Sequence, residues 1–175
     1  MGSKERWAEP NGTYTLRHVE YRTRRGKWKV DEGLVGAVAA LMWLREANSI
    51  VEMWAGVGHY LEKFLDHDVR VEGFDGIDGV FGLSKGLVLQ ADLSIYRFLC
   101  ERRDFCLSLE VGEHIPKDRA WAYVKNICDH AKDCAVVSWA TPNQHGWLHV
   151  NPLFPEEVRE LFSRERFCYD EPLTE

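Results

Sequence analysis

Carboxylates and histidines follow four short apolar runs in turn. Glu52 lies in SIVEMW, Asp75 follows VRVEGF, Asp92 follows LVLQA, and Glu110, Glu113 and His114 fall in DFCLSLEVGEHIP. Gly56 and Gly58 stand behind Glu52 in the turn WAGVG. Such a turn lets the backbone approach a ligand closely, and a helix starting there offers free N–H groups. The third glycine of a dinucleotide loop, GxGxxG, would fall at Leu61, and the Gly-Lys-Ser/Thr of a phosphate loop is absent. Glu52, four residues before Gly56, would repel a pyrophosphate but would suit an ammonium group. Asp75 lies nineteen residues beyond Gly56, the spacing at which a strand-end carboxylate reaches a ribose diol, with Asp78 as a competing candidate. Charge-assisted hydrogen bonds of that kind contribute about 1.5–3 kcal/mol each. Asp92 could accept from an adenine amino group, or cap a helix. An amino-acid tail, a ribose and an adenine without a pyrophosphate describe S-adenosylmethionine.

Glu110, Glu113 and His114 spell ExxEH, with the two acids one helical turn apart and the imidazole adjacent. Two carboxylates and an imidazole at a strand-to-helix corner suit a divalent ion such as Mg²⁺, Mn²⁺ or Zn²⁺, with His145 or His149 as a further ligand. Such an ion would align a substrate hydroxyl and lower its pKa. Without one, His114 or His149 is the candidate general base, because an imidazole titrates near the working pH. Most of the rate would come from holding nucleophile, methyl carbon and sulfonium in line.

These residues need a scaffold that brings strand ends together. Strands are expected at 49–54, 69–74, 87–90, 104–109, 135–139 and 166–169, and helices at 33–47, 58–66, 93–102, 117–132 and 155–164. Near-continuous apolar strands alternating with helices indicate βαβ units and a parallel sheet covered on both faces. Ligands bind such sheets at the carboxyl ends of the strands, where the unusual residues fall. Residues 1–32 read as a basic arm carrying Arg22, Arg24, Arg25, Lys27 and Lys29 with Tyr21 and Trp28, and 33–175 as the S-adenosylmethionine-binding domain. The arm is a surface strand or arm, or a contact for RNA or another acidic partner.

The 175 residues suffice for one buried core, and 45% hydrophobic with 29% charged residues is ordinary for a globular protein. A net charge of −6 argues against general nucleic-acid binding. No run approaches the ~18 apolar residues of a membrane helix, and the polar start lacks a signal-peptide pattern. Five cysteines without a CxxC pair read as reduced core thiols of a cytoplasmic protein.

From about Ser49 to Asp170 the chain resembles class I S-adenosylmethionine-dependent methyltransferases, through EMWAGVG, GFDG, QADLS, SLEVGEHIP, VVSWA and NQHGWLHVN. That resemblance implies a Rossmann-like α/β fold, mostly parallel, with helices on both faces. It implies that Glu52, Gly56 and Gly58 hold the methionine moiety, Asp75 the ribose and Asp92 the adenine, with Trp54, Ala55, Gly76, Leu93 and Glu110 beside them. The ExxEH resembles the metal-binding motif of ubiquinone-biosynthesis O-methyltransferases and small-RNA 2′-O-methyltransferases, which implies Glu110, Glu113, His114 and His149 as the metal set. Two departures stand out. Trp54 replaces a glycine usual in the first loop, where its indole would tighten the pocket or block it. The last strand of the sheet is expected to be missing, leaving an edge that is open, covered by the arm, or paired in a homodimer. The leading expectation is methyl transfer to an O or N nucleophile of a small molecule, its pocket shaped by residues 145–151. The alternatives are a metal-dependent RNA 2′-O-methyltransferase and a non-catalytic methyltransferase-like scaffold.

Overall fold

The computed structural model describes residues 8–24 and 29–170; Arg25, Lys27 and Trp28 of the expected basic arm lie outside them. Five strands form one sheet: β1 (Ser49–Met53), β2 (Arg70–Asp75), β3 (Val88–Gln90), β4 (Arg103–Ser108) and β5 (Ala131–Val137). Their order is β3-β2-β1-β4-β5, and every pairing is parallel. The helices are α1 (Leu16–Arg24), α2 (Glu32–Leu44), α3 (His59–Leu65), α4 (Val80–Leu83), α5 (Ala120–His130) and α6 (Pro155–Arg164).

The central strand shows why the sequence takes this form. Every residue of β1 is buried, and its side chains alternate between two cores. Val51 and Met53 join Phe74, Cys106, Tyr123 and Ile127 on one face. Ile50 joins Val35, Val38 and Met42 of α2 with Phe64 and Phe105 on the other. A third cluster of Leu61, Ile77, Val80 and Val88 closes the β2–β3 side, and Val19 of α1 is part of it. The segment read as a surface strand or arm thus contains a helix that contributes to the core, because Val19 faces inward while its charged neighbours Arg17 and Glu20 stay exposed.

Two expected elements are absent. Residues 93–102 form turns and coil instead of a helix, since side chains from α5 take up their backbone groups. Asn126 Nδ2 donates to the carbonyls of Leu93 and Ile95, each at 2.9 Å, and its Oδ1 accepts from Arg97 N–H. His130 Nε2 accepts from Leu99 N–H at 2.9 Å. Residues 166–169 form no strand: Arg166 is left-handed with φ of 65°, and Phe167 N–H returns to the Phe162 carbonyl. The chain there folds back on α6, placing Tyr169 under the Arg159 guanidinium. Among the described residues the sheet therefore ends at β5. No helix of the described residues is long and apolar enough to cross a membrane. The five cysteines are unpaired, with Cys106 and Cys128 buried and Cys168 exposed.

Candidate functional site

The strand order reverses between β1 and β4, so a crevice opens outside their carboxyl ends. The turn between β1 and α3 borders it. Gly56 and Gly58 have φ of 57° and 84°, a conformation glycine adopts freely. Trp54 is held at φ of 60°, so the residue that departs from the expected glycine sits where glycine would be unstrained. Its indole packs against the first core, edge-on to Tyr123 at 5.0 Å, and its Nε1 is buried with no hydrogen-bond partner. Ala55 is buried in the third cluster.

Two buried carboxylates face this turn. Asp75, at the end of β2, accepts from Gly56 N–H at 2.8 Å and Ile77 N–H at 3.0 Å. Burial raises its pKa to about 6 against the opposing pull of the Gly56, Ile77 and Gly76 N–H groups. Glu52 is 4% exposed and its Oε2 has no hydrogen-bond partner. Burial, and then the nearby Asp75 charge, push its pKa well above the usual carboxylate range. An orphaned buried carboxylate is costly unless a donor arrives. Asp78, the competitor for the ribose role, is exposed.

Asp92 accepts from the N–H and hydroxyl of Ser94 at 3.0 and 2.7 Å. Partial burial pushes its pKa up, but Ser94, Asn11 and Arg119 outweigh that and hold it below its ordinary value. Leu93 beside it is fully buried in the first core, and its carbonyl is held by Asn126, so its free backbone group is the N–H. Gly76 lies directly against the Thr13 side chain.

The ExxEH corner splits. Glu110 is exposed and left-handed with φ of 55°, and its carboxylate accepts from Ser138 Oγ at 2.8 Å. Turned onto Ser138, it stands apart from the group that does converge. Among the described residues, Glu113, His114 and His149 place one ligand atom each within 4.8 Å of one another. His145 is exposed and is not in that group. Glu113 is 0% exposed, and neither carboxylate oxygen has a hydrogen-bond partner. Burial raises its pKa, with the nearby Glu110 adding to that and His149 opposing only part of it. His149 Nε2 lies 3.9 Å from Glu113 Oε1. The 148–151 loop reaches this corner because the Glu113 carbonyl accepts from Val150 and Asn151 N–H at 2.8 and 2.9 Å. A Cβ at Gly146 would collide with the His149 ring, so a larger residue there would displace His149 from this position.

One residue at the site escapes sequence reasoning. Tyr14 places its hydroxyl 3.0 Å from His114 Nε2, across 100 residues of chain. Burial raises its pKa to about 12, with Arg22 opposing. No local spacing links it to the ExxEH, and only the tertiary fold reveals the contact. Beside it, a cavity of about 410 Å³ is lined by Pro10, Gly12, His114, Lys117, Leu148 and Val150.

The fold is shared with solved methyltransferase structures. Magnesium protoporphyrin IX methyltransferase (ChlM) from Synechocystis PCC 6803, with bound SAH, matches with a TM-score of 0.68 at 16% identity, over 85% of this chain and 84% of its own. The SAM-bound amino pentose methyltransferase CalS10 from Micromonospora echinaspora matches at 0.60 and 18% identity, over 73% of this chain and 59% of its own. The methyltransferase domain of bacterial CtHen1-C matches at 0.58 and 17%, over 75% and 80%. No protein-family model matches the sequence, and no curated protein sequence matches it. The likeness is one of fold: a parallel Rossmann-like sheet as found in class I methyltransferases.

Proposed function

We propose that the chain is an S-adenosylmethionine-dependent methyltransferase acting on an oxygen or nitrogen nucleophile of a small molecule. The observation that carries this is the pair of buried carboxylates, Glu52 and Asp75, on neighbouring strand ends around a left-handed glycine turn. Glu52 offers an unpartnered oxygen suited to the ammonium of the methionine tail. Asp75 keeps lone pairs for the ribose hydroxyls beyond those used by Gly56 and Ile77. Asp92 stands next in strand order, where it would meet the adenine. The fold shared with SAM- and SAH-bound methyltransferases supports the same cofactor, and the porphyrin and amino-pentose names of two of those proteins support a small acceptor.

When bound, S-adenosylmethionine supplies a methyl group on sulfonium, which passes to the acceptor lone pair as the carbon–sulfur bond breaks. The chain's own task is to hold the acceptor in line and receive its proton. The cavity beside His114 is the candidate acceptor site, with Leu148 and Val150 supplying apolar contact. Burial holds the His114 pKa below its ordinary value, and because its Nε2 already accepts from the Tyr14 hydroxyl it would take the acceptor's proton only once that hydroxyl moves away.

A metal-assisted version, which would also suit a ribose 2′-hydroxyl acceptor, is favoured by one observation. His149 Nδ1 contacts the Gln144 carbonyl at 3.2 Å and must donate to it, so in the neutral ring the Nε2 lone pair faces Glu113. Two electron-rich groups facing each other in a buried corner fit a cation between them. Glu113 and His149 would hold a divalent ion there, and the ion would acidify an acceptor hydroxyl.

Calorimetric titration with S-adenosylmethionine and its demethylated product tests the function. Binding of both is expected, with Glu52→Gln weakening S-adenosylmethionine at least tenfold, the loss of one charge-assisted contact of about 1.5–3 kcal/mol. A wild-type protein that binds neither ligand would overturn the methyltransferase reading.

A further inference from the structure

Residues 8–15 roof the site. Ala8 bridges Tyr14 in antiparallel fashion, and Glu9 N–H donates to the Thr13 carbonyl at 2.8 Å. Thr13 is buried against Gly76 in the loop after β2. Asn11 lies beside Asp92 after β3 and helps hold its carboxyl below the ordinary pKa. Gly12 lies so close to the loop after β4 that a Cβ there would sit 2.7 Å from the His114 carbonyl oxygen. The segment thus touches all three strand-end loops and delivers the Tyr14 ring edge-on to His114, at 5.4 Å between centroids.

The hydrogen bonds of His114 fix its tautomer. Its Nδ1 lies 3.1 Å from the Leu148 carbonyl oxygen, which can only accept, so Nδ1 carries the proton. In a neutral imidazole Nε2 is then an acceptor, and the hydroxyl 3.0 Å away, that of Tyr14, is the donor. Both nitrogens are therefore engaged. His149 differs: its Nδ1–H is spent on the Gln144 carbonyl and its Nε2 faces the unpartnered Glu113 carboxylate. Of the two histidines in the cluster, one is ready to ligate and the other is masked.

We propose that Tyr14 is a positioning residue that holds His114 out of the cation site, so that a divalent ion seated on Glu113 and His149 gains His114 only when the 8–15 segment withdraws the Tyr14 hydroxyl. This rests on the metal-assisted reading of the corner. Metal loading and docking of the segment then oppose each other, and the coupling is reciprocal: whatever secures the segment weakens metal, and metal loosens the segment.

The test uses the full chain, with Mn²⁺ as the probe and Tyr14→Phe, which keeps the ring and deletes the hydroxyl. Calorimetry is expected to show Tyr14→Phe binding Mn²⁺ about fivefold tighter than wild type, the factor for one ordinary intramolecular hydrogen bond. Glu113→Gln is expected to lose the binding in both backgrounds. Imidazole ¹⁵N NMR of the metal-free proteins gives the independent readout. Wild-type His114 should show a protonated Nδ1 and a hydrogen-bonded Nε2, and Tyr14→Phe should move the Nε2 resonance to that of an unbonded acceptor. Unchanged or weaker Mn²⁺ affinity in Tyr14→Phe, a wild-type His114 protonated at Nε2, or no Mn²⁺ binding by either protein would each overturn the proposal. S-adenosylmethionine titration is separate from all three, so their failure is distinguishable from failure of the methyltransferase reading.

Discussion

Asp75 makes the residue scale measurable, because its folded pKa of about 6 lies well above the ordinary aspartate value. Between pH ~4 and ~6 the folded, ligand-free protein holds a proton that the unfolded chain has released. Ionising Asp75 therefore costs the folded state about 3 kcal/mol by pH 7, and stability falls as pH rises through that window. A ribose diol needs the ionised form, so S-adenosylmethionine affinity should run the opposite way. It is expected to fall about tenfold per pH unit below 6, read by titration calorimetry across pH 5–8. Asp75→Asn should reduce that pH dependence to the part contributed by Glu52, weaken binding at pH 7, and stabilise the ligand-free protein by about 1–2 kcal/mol, since one N–H contact is weakened in exchange. A variant that bound normally would remove Asp75 from the site. Legibility at this scale follows range. Asp75 was readable because the strand-turn-helix-strand unit fixes its distance from Gly56. Glu113 and His149 were singled out by chemistry, but the left-handed backbone at Glu110 that separates it from them leaves no mark in ExxEH. Tyr14, 100 residues from its partner, had no local signal at all.

Elements show the same division between local pattern and distant partner. β1 and the buried ends of β2 and β4 lie on the apolar runs that encode them, since burial on both faces demands continuous apolar sequence. By contrast, β5 begins at Ala131, before the expected 135–139 and inside the expected helix 117–132, with Lys132 and Asp133 exposed. Residues 93–102 have helical length and composition, yet Asn126 and His130 of α5 claim their backbone groups first. Asn126 is 0% exposed and serves three main-chain groups of that segment, a substitute for a helical ladder. Asn126→Ala is expected to destabilise the protein by about 3 kcal/mol, because buried carbonyls and an N–H lose their partners. Urea unfolding measures the loss, and a change below about 1 kcal/mol would mean the segment holds itself in place. Because Leu93 and Asp92 lead into this coil, the variant should also weaken S-adenosylmethionine binding, where an autonomous helix would leave it unaffected.

At the scale of the whole molecule, the candidate site draws on distant parts of the chain: β1 and β2 supply the carboxylates, the loop after β4 the buried acid, the 148–151 loop the second histidine, and the N-terminal segment the roof. Such a site binds only the folded chain, so ligand and fold must be thermodynamically linked. The ligand-free molecule carries two buried acids, Glu52 and Glu113, with unpartnered oxygens, and a third, Asp75, held above its ordinary pKa. On the proposed function all three are stability given up for binding, and a ligand that satisfies Glu52 and Asp75 would recover part of it. At a hundredfold excess over the dissociation constant, S-adenosylhomocysteine is expected to add about 2.7 kcal/mol, which for a domain of this size raises Tm by about 5–10 °C. Asp75→Asn should start from a higher Tm than wild type and rise less on adding ligand, so the two melting curves converge. A scaffold that had lost the cofactor would show neither the shift nor the convergence, and differential scanning calorimetry of the two proteins with and without ligand separates the cases.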